Sequence, residues 1–411
     1  MKNTVITLLL AALPTVAMAV KVPYENNELL KKEVISNYAN MALVNYKDSL
    51  VGAQNLQVNI EGFLANATEA SFEAAKDVWA NSARMPYGQS EIFRFYNGPV
   101  DFEPIDDGIT THLEEIEFVG VEGLMNAWPL DEFYIDYVKE DSEAGIINDR
   151  SIKLNKEILT SLNEREGEKN ISTGYHAIEF LLWGQDRSLE TAGERPYTDY
   201  VVGGTAENQD RRGEYLSLLS EILVDHLSGI TAQWELNETN YRAEFLKRNT
   251  DSVLSDIFTS LILMSGDELK SERIENALLL EDQEEEHSCF SDKTINDIYT
   301  NALGVKNVYL GEYKAFNFDT TIAGKGVSEL ISFVNPELDA KIKAEFNTLF
   351  NAINFFYAKT DGKVEIGNIA IPFDRAITEN QVEVQVVIDS LDRVDGLLRE
   401  AATELGLELE L

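Results

Sequence analysis

The chain has 411 residues, 44% of them hydrophobic, a single cysteine and a formal net charge of −38 at pH 7. That charge repels nucleic acid and anionic lipid alike, and one cysteine, Cys289, excludes an internal disulfide. The length exceeds what one hydrophobic core usually organises, so two domains held by apolar burial are expected.

At the start, Lys2, an apolar run from Val5 to Val16 and then Ala17-Met18-Ala19 form the pattern a signal peptidase reads. Residues 1–19 are therefore expected to be a signal peptide. The run is too short to span a bilayer, and no later stretch reaches about 18 uninterrupted apolar residues, so no integral membrane segment is expected. Position 20 is Val rather than Cys, which removes the attachment point of a bacterial lipoprotein. The expected location is outside the cytoplasm, periplasmic or peripheral on the outer membrane or cell surface.

Leu30, Val34, Tyr38 and Met41 mark a first helix running toward Phe63, and Phe72, Ala75 and Trp79 mark a second that approaches Met85-Pro86. Segments 97–108 and 184–204, rich in Gly, Pro and Asp, read as long surface loops. Between and beyond them, helical patterns fit 152–162, 173–183, 214–234, 252–264 and 268–280. The acidic run 281–286 reads as a solvated helix end. Asn335 as cap and Pro336 at the first position open a helix carried by Leu338, Ile342, Phe346, Leu349, Ile353 and Phe356 as far as Lys359. A last helix is expected from Thr378, with Gln381 completing a capping box, through Val387, Leu391, Val394 and Leu398. No block of period-two alternation competes. The expected fold is all-α: two helical bundles packed together, residues 20–240 and 241–411, each with a long-helix pair of the kind an internal duplication leaves.

Chemistry concentrates in 174–179, Gly-Tyr-His-Ala-Ile-Glu, behind Ser172-Thr173 as a cap. His176 and Glu179 are three apart and share a helix face, where an imidazole and a carboxylate can hold one metal ion. The following Ile178 to Trp183 is too apolar to face water, so a charged Glu179 there needs a cation or an arginine as partner. Residues 287–292 supply His287, Ser288, Cys289 and Asp292 within one short segment. They form either a metal loop or a helix end with Cys289 and Phe290 packed inward.

The segment GYHAIEFLLWGQD resembles the GxHxxE signature of the imelysin family, which is also catalogued as a peptidase family and has relatives linked to bacterial iron uptake. Four further segments extend the resemblance to the iron-regulated protein A branch: 79–91, 128–137, 287–292 and 307–311. The resemblance implies a two-bundle helical fold with a pocket near the domain interface, lined by Gly174, His176, Glu179 and the segment from Arg84 through Tyr87 to Glu91. It implies Glu91 as third metal ligand and Arg84 as the charge that orients a carboxylate or holds an anionic co-ligand. Iron is preferred through the family alone, since these ligands suit zinc and manganese equally. The expected partners are a metal ion or chelate and a transporter or outer-membrane protein. A metallopeptidase is the weaker reading because the HExxH pattern is absent and Glu179 cannot serve as both ligand and base. A metal-free partner-binding scaffold follows if Arg84 neutralises Glu179.

Overall fold

The computed structural model describes residues 27–94 and 121–409. The leader at 1–19 and the loop read at 97–108 lie outside the described residues. The described residues are mostly helical, and their only sheets are two antiparallel two-stranded hairpins. None of their helices is long and apolar enough to cross a membrane.

Helix Glu28–Ala65 extends over 38 residues and packs along helix Gln209–Trp234. Its Tyr38 stands edge-on to Trp234 with ring centroids 6.3 Å apart. The second helix does not stop at Pro86. Glu69–Asp77 passes into a π turn, Val78–Ala83, and resumes as Arg84–Ser90. A proline normally breaks a helix because it withholds an N–H from the carbonyl four residues back. Here that carbonyl, on Ser82, accepts the Asn317 side-chain amide at 2.8 Å instead. The π turn widens the ladder at the same point. As a result Arg84, Tyr87 and Glu91 all face the interior.

Gly52 of the long helix lies against this turn, and a Cβ there would sit 2.1 Å from the Ser82 carbonyl oxygen. Alanine is preferred to glycine inside a helix by about 1 kcal/mol, but this overlap is with backbone that cannot step aside. Gly52→Ala is therefore expected to destabilise by about 1–3 kcal/mol, read as a lower urea midpoint at unchanged slope. A raised midpoint would show that propensity, not contact, governs the position.

The two helices expected at 252–264 and 268–280 form one continuous path, Thr250–Ile262, a π stretch Leu263–Glu275 and Asn276–Leu280. Helix Pro336–Ile353 starts as expected, with the Asn335 side chain accepting the Leu338 N–H at 3.1 Å. It ends at Ile353 rather than near Lys359. Tyr357–Thr360 and Lys363–Ile369 pair instead as a hairpin, because Asp361 and Gly362 both take positive φ, the backbone of the tight turn an Asp-Gly pair favours. The last helix is Gln381–Leu405 and does not begin at Thr378. Thr378 lies inside helix Phe373–Glu379 and donates its hydroxyl back to the Asp374 and Arg375 carbonyls, which leaves no capping box to form.

Position 240 falls just before helix Tyr241–Phe245, in the short connection from Gln209–Trp234. Buried apolar residues on both sides of it belong to one continuous cluster. Helix Thr294–Leu310 crosses onto Arg84–Ser90, so the two halves meet along the face that carries Arg84. Segment 184–204, read as surface, buries Asp186, Arg195 and Asp199. Its Arg195 and the helical Arg212 both donate to Asp136 Oδ2 at 2.7 Å, which pins the loop to the bundle.

Candidate functional site

The HxxE helix is Gly174–Trp183, and every one of its residues is buried. Gly174 has φ +89°, and a Cβ there would meet the Met125 carbonyl oxygen at 2.5 Å. Only glycine lets the helix start this deep in the core. Thr173 sits at the cap position, but its hydroxyl donates to the Leu124 carbonyl at 2.9 Å rather than serving the helix. On the opposite side the Trp79 indole N–H donates to the Tyr175 carbonyl at 3.1 Å. The π-turn segment and the HxxE helix are thereby fixed to each other.

His176 Nδ1 lies 2.9 Å from Glu179 Oε2, and the other Glu179 oxygen accepts both the backbone N–H and the hydroxyl of Ser291, at 2.9 and 2.6 Å. His176 Nε2 is buried without a partner. The carboxylate therefore fixes the imidazole through one nitrogen and leaves the other free, the arrangement a carboxylate imposes on a metal-binding histidine. Burial, with smaller contributions from His287 and Arg84, holds His176 well below the ordinary histidine range, so its ring is neutral. Burial pushes Glu179 up to about 8, against the hydrogen bonds from Ser291.

His287 joins this pair from 111 positions along the chain, its ring centroid 4.8 Å from that of His176. Trp128 stands edge-on behind it at 5.0 Å. His287 Nδ1 is 3.2 Å from Arg84 Nη2 and 3.2 Å from Asp297 Oδ2. Burial first, then Arg273 and Arg84, keep this second imidazole neutral as well. Ser288 donates its hydroxyl to Asp297 Oδ2 at 2.5 Å. Cys289 packs against the apolar core, and burial drives its thiol pKa well up, so it offers no thiolate. Asp292 lies apart with other carboxylates.

Arg84 acts on Glu179 only as a charge at longer range. It pairs with Asp297 at 3.0 Å, donates to the Asn126 side chain at 2.6 Å, and stacks over the rings of Tyr175 and Tyr87 at 5.2 and 5.6 Å. The arginine partner on which the metal-free scaffold depends is thus committed elsewhere. Glu91 does not stand open as a ligand. Its Oε2 accepts Arg273 at 2.6 Å and Asn126 at 3.2 Å, its Oε1 accepts Asn301 at 3.2 Å, and Arg84 lies 3.9 Å away. Asp297 and Arg273 had no local pattern to announce them in the sequence.

The donors around His176 fit a metal of intermediate softness, since they comprise two neutral imidazoles, one with an orphaned nitrogen, and carboxylates behind them. Among the described residues, no three histidine, cysteine or carboxylate donors near His176 come within 4.8 Å of one another. Remaining coordination positions would be filled by water or by an anion brought with the metal.

A family model described as Imelysin matches residues 42–398. Iron-regulated protein A of Synechococcus elongatus is 24% identical over 380 residues, covering 90% of this chain and 87% of that protein. Among solved structures, a candidate iron-regulated protein A precursor from Parabacteroides distasonis superposes with a TM-score of 0.61 at 18% identity, over 93% of this chain and 100% of that one. An imelysin-like protein from Psychrobacter arcticum gives 0.57 at 14% identity, over 95% and 98%.

Proposed function

This chain belongs to the imelysin family, and on that premise we propose that it is an exported metal-binding protein of iron acquisition or homeostasis. The observation that carries the reading is His176 Nε2, a buried, partnerless nitrogen on a neutral ring already oriented by Glu179 and faced by a second imidazole. His176 would hold the ion through that nitrogen and His287 is the nearest second ligand. Glu179 serves to orient and polarise His176 rather than to ligate. When bound, iron, or zinc or manganese in its place, supplies a Lewis-acidic centre to which a chelating anion can attach. Iron is preferred because the relatives are named for iron regulation. Export is supported by the leader pattern at 1–19 and by a relative named as a precursor. A transporter or outer-membrane partner would receive the metal or chelate. Peptidase chemistry has weaker support, because both Glu179 oxygens are engaged and the neighbouring Asp297 is paired with Arg84 and holds the Ser288 hydroxyl.

Untagged protein purified from the extracytoplasmic fraction is expected to carry about one equivalent of iron, measured by elemental analysis. Its absence from protein prepared without chelators would sink the reading. Loading should also release protons. With Glu179 near 8, the His176–Glu179 pair at pH 7 carries one proton more than a metal-bound pair can keep. Titration calorimetry in buffers of different ionisation enthalpy is expected to show about one proton released per ion at pH 7, falling toward zero by about pH 9. An ion bound at both pH values without proton release would remove Glu179 from the centre.

A further inference from the structure

Three carboxylates from three separate segments converge away from the histidine pair. Asp186 follows the HxxE helix, Asp292 precedes helix Thr294–Leu310, and Asp374 is in the first turn of helix Phe373–Glu379. One oxygen from each lies within 4.8 Å of the others. Asp374 is only 1% exposed and Asp186 and Asp292 are buried. Glu286, the last residue of the acidic run read as solvated, is also buried, at 2% exposure.

Their hydrogen bonds do not satisfy them. Asp186 accepts the Ser188 N–H at 3.0 Å and Asp374 accepts the Arg375 N–H at 2.6 Å. Asp292 Oδ1, Asp374 Oδ2 and Glu286 Oε2 are buried with no hydrogen-bond partner at all. Buried carboxylate oxygens without partners, beside an Asp186–Asp292 carboxyl pair, call for a cation or a shared proton. The protein's own cations are poorly placed to answer. Arg375 turns to Glu379 at 2.7 Å and Glu190 at 3.8 Å. Lys293 shares one ammonium among Asp292, Asp77 and Glu179. Consistent with that deficit, burial first and then repulsion from neighbouring carboxylates push Asp186 to about 7 and Asp292 to about 8, and burial with repulsion from Glu190 pushes Asp374 to about 6.

We propose that Asp186, Asp292 and Asp374, with Glu286 beside them, form a second cation site, for a hard divalent ion with calcium first. The donors are oxygen only, with no imidazole or thiolate among the three, which selects calcium, magnesium or manganese over the softer metals suited to His176. Calcium is favoured because it accepts many oxygens in irregular geometry, and these carboxylates come from a loop, a turn and a helix start rather than a rigid octahedral frame. Asp292 also lines an open cleft of about 740 Å³, which gives an ion a path from solvent. The ion would tie the loop after the HxxE helix to helix Phe373–Glu379. It would also steady Ser291, the neighbour of Asp292 that holds Glu179.

The test uses the full mature protein, stripped with chelator and titrated with calcium chloride at pH 7.5 by calorimetry and thermal melting. Calcium is expected to bind one to one and raise Tm by on the order of 3 °C at a hundredfold excess over Kd. Asp292→Asn is the cleaner variant, because Asp292 has φ 57° and asparagine is at home in that region. It and Asp374→Asn should each lose calcium affinity at least tenfold, while their metal-free melts stay level or rise as one of the repelling charges is removed. His176→Ala should keep the whole calcium response, which separates this site from the proposed iron centre. Millimolar calcium that leaves the wild-type melt unmoved would overturn the proposal and mean that the carboxylates share protons. So would a calcium shift of equal size in wild type and Asp292→Asn, which would mean diffuse binding to the acidic surface. Should Asp374→Asn fail to fold, Asp292→Asn and Glu286→Gln decide by the same criterion.

Discussion

His176→Ala is expected to abolish the stabilisation that added metal would confer through the proposed centre. An ion that binds only the folded chain stabilises it by about 2.7 kcal/mol at a hundredfold excess over Kd, and His176 Nε2 is the buried nitrogen available to bind it. Removing that ligand should weaken affinity by a hundredfold or more, so the metal-induced shift in Tm disappears at the same concentrations. The metal-free variant should remain folded but lose about 1–3 kcal/mol, because Glu179 Oε2 is left without its partner. Both proteins would be melted with ferrous, ferric, zinc and manganese ions. Equal shifts in the two would mean that ions collect on the acidic surface and that the centre does not exist.

The pH dependence follows from the carboxylate rather than the imidazole. A buried histidine held well below its ordinary range does not compete for protons near neutrality, whereas Glu179, at about 8, does. Metal affinity should therefore rise with pH up to about 8 and then level off. Stability of the metal-free protein should move the other way. Its native state holds a proton on Glu179 that the unfolded chain releases near the ordinary value of 4.5, so that contribution is complete below about pH 4.5 and is lost as pH rises through about 8. The Glu179 contribution should fall between pH 6 and 8 in the stripped protein and be flat in the loaded one, so a difference in slope of about one proton between the two would be a specific signature of this pair.

Periodicity and caps located what is local. The helix from Leu30 to Phe63, the buried HxxE helix and the cap at Asn335 all rest on spacings within one or two turns, and the structure has them there. Pro86 misled because the bond that rescues the helix comes from Asn317, more than two hundred residues away. Asp361-Gly362 looked like a helix stop. It is the turn of a hairpin, and the apolar Phe356 and Tyr357 before it are buried in either geometry, so periodicity could not separate the two. The site shows the same division. His176 with Glu179 was legible from three-residue spacing. The placement of His287 against His176, and of Arg273 against Glu91, depends on helices crossing between the halves and left no local trace.

Glu91 is where the resemblance and the geometry pull apart, and Glu91→Gln separates them. As a metal ligand, Glu91 would be nearly dispensable to the stripped protein. The structure instead makes it the shared anion for Arg273 at 2.6 Å and Arg84 at 3.9 Å, with two asparagine amides completing its oxygens. Glutamine keeps the shape but carries no charge, and its NH2 group would point at amide or guanidinium donors whichever way it turned. Breaking a buried pair from one side typically costs about 3–5 kcal/mol, because the remaining ion has lost both water and partner. Arg273 retains Glu268 at 2.6 Å, so the lower end of that range is expected. Denaturant melts of the chelator-stripped protein should show this loss, while the metal-induced shift remains at its wild-type size. A variant with unchanged stripped stability and no metal response would restore Glu91 to the ligand set, and Arg273 would then have to release it on loading.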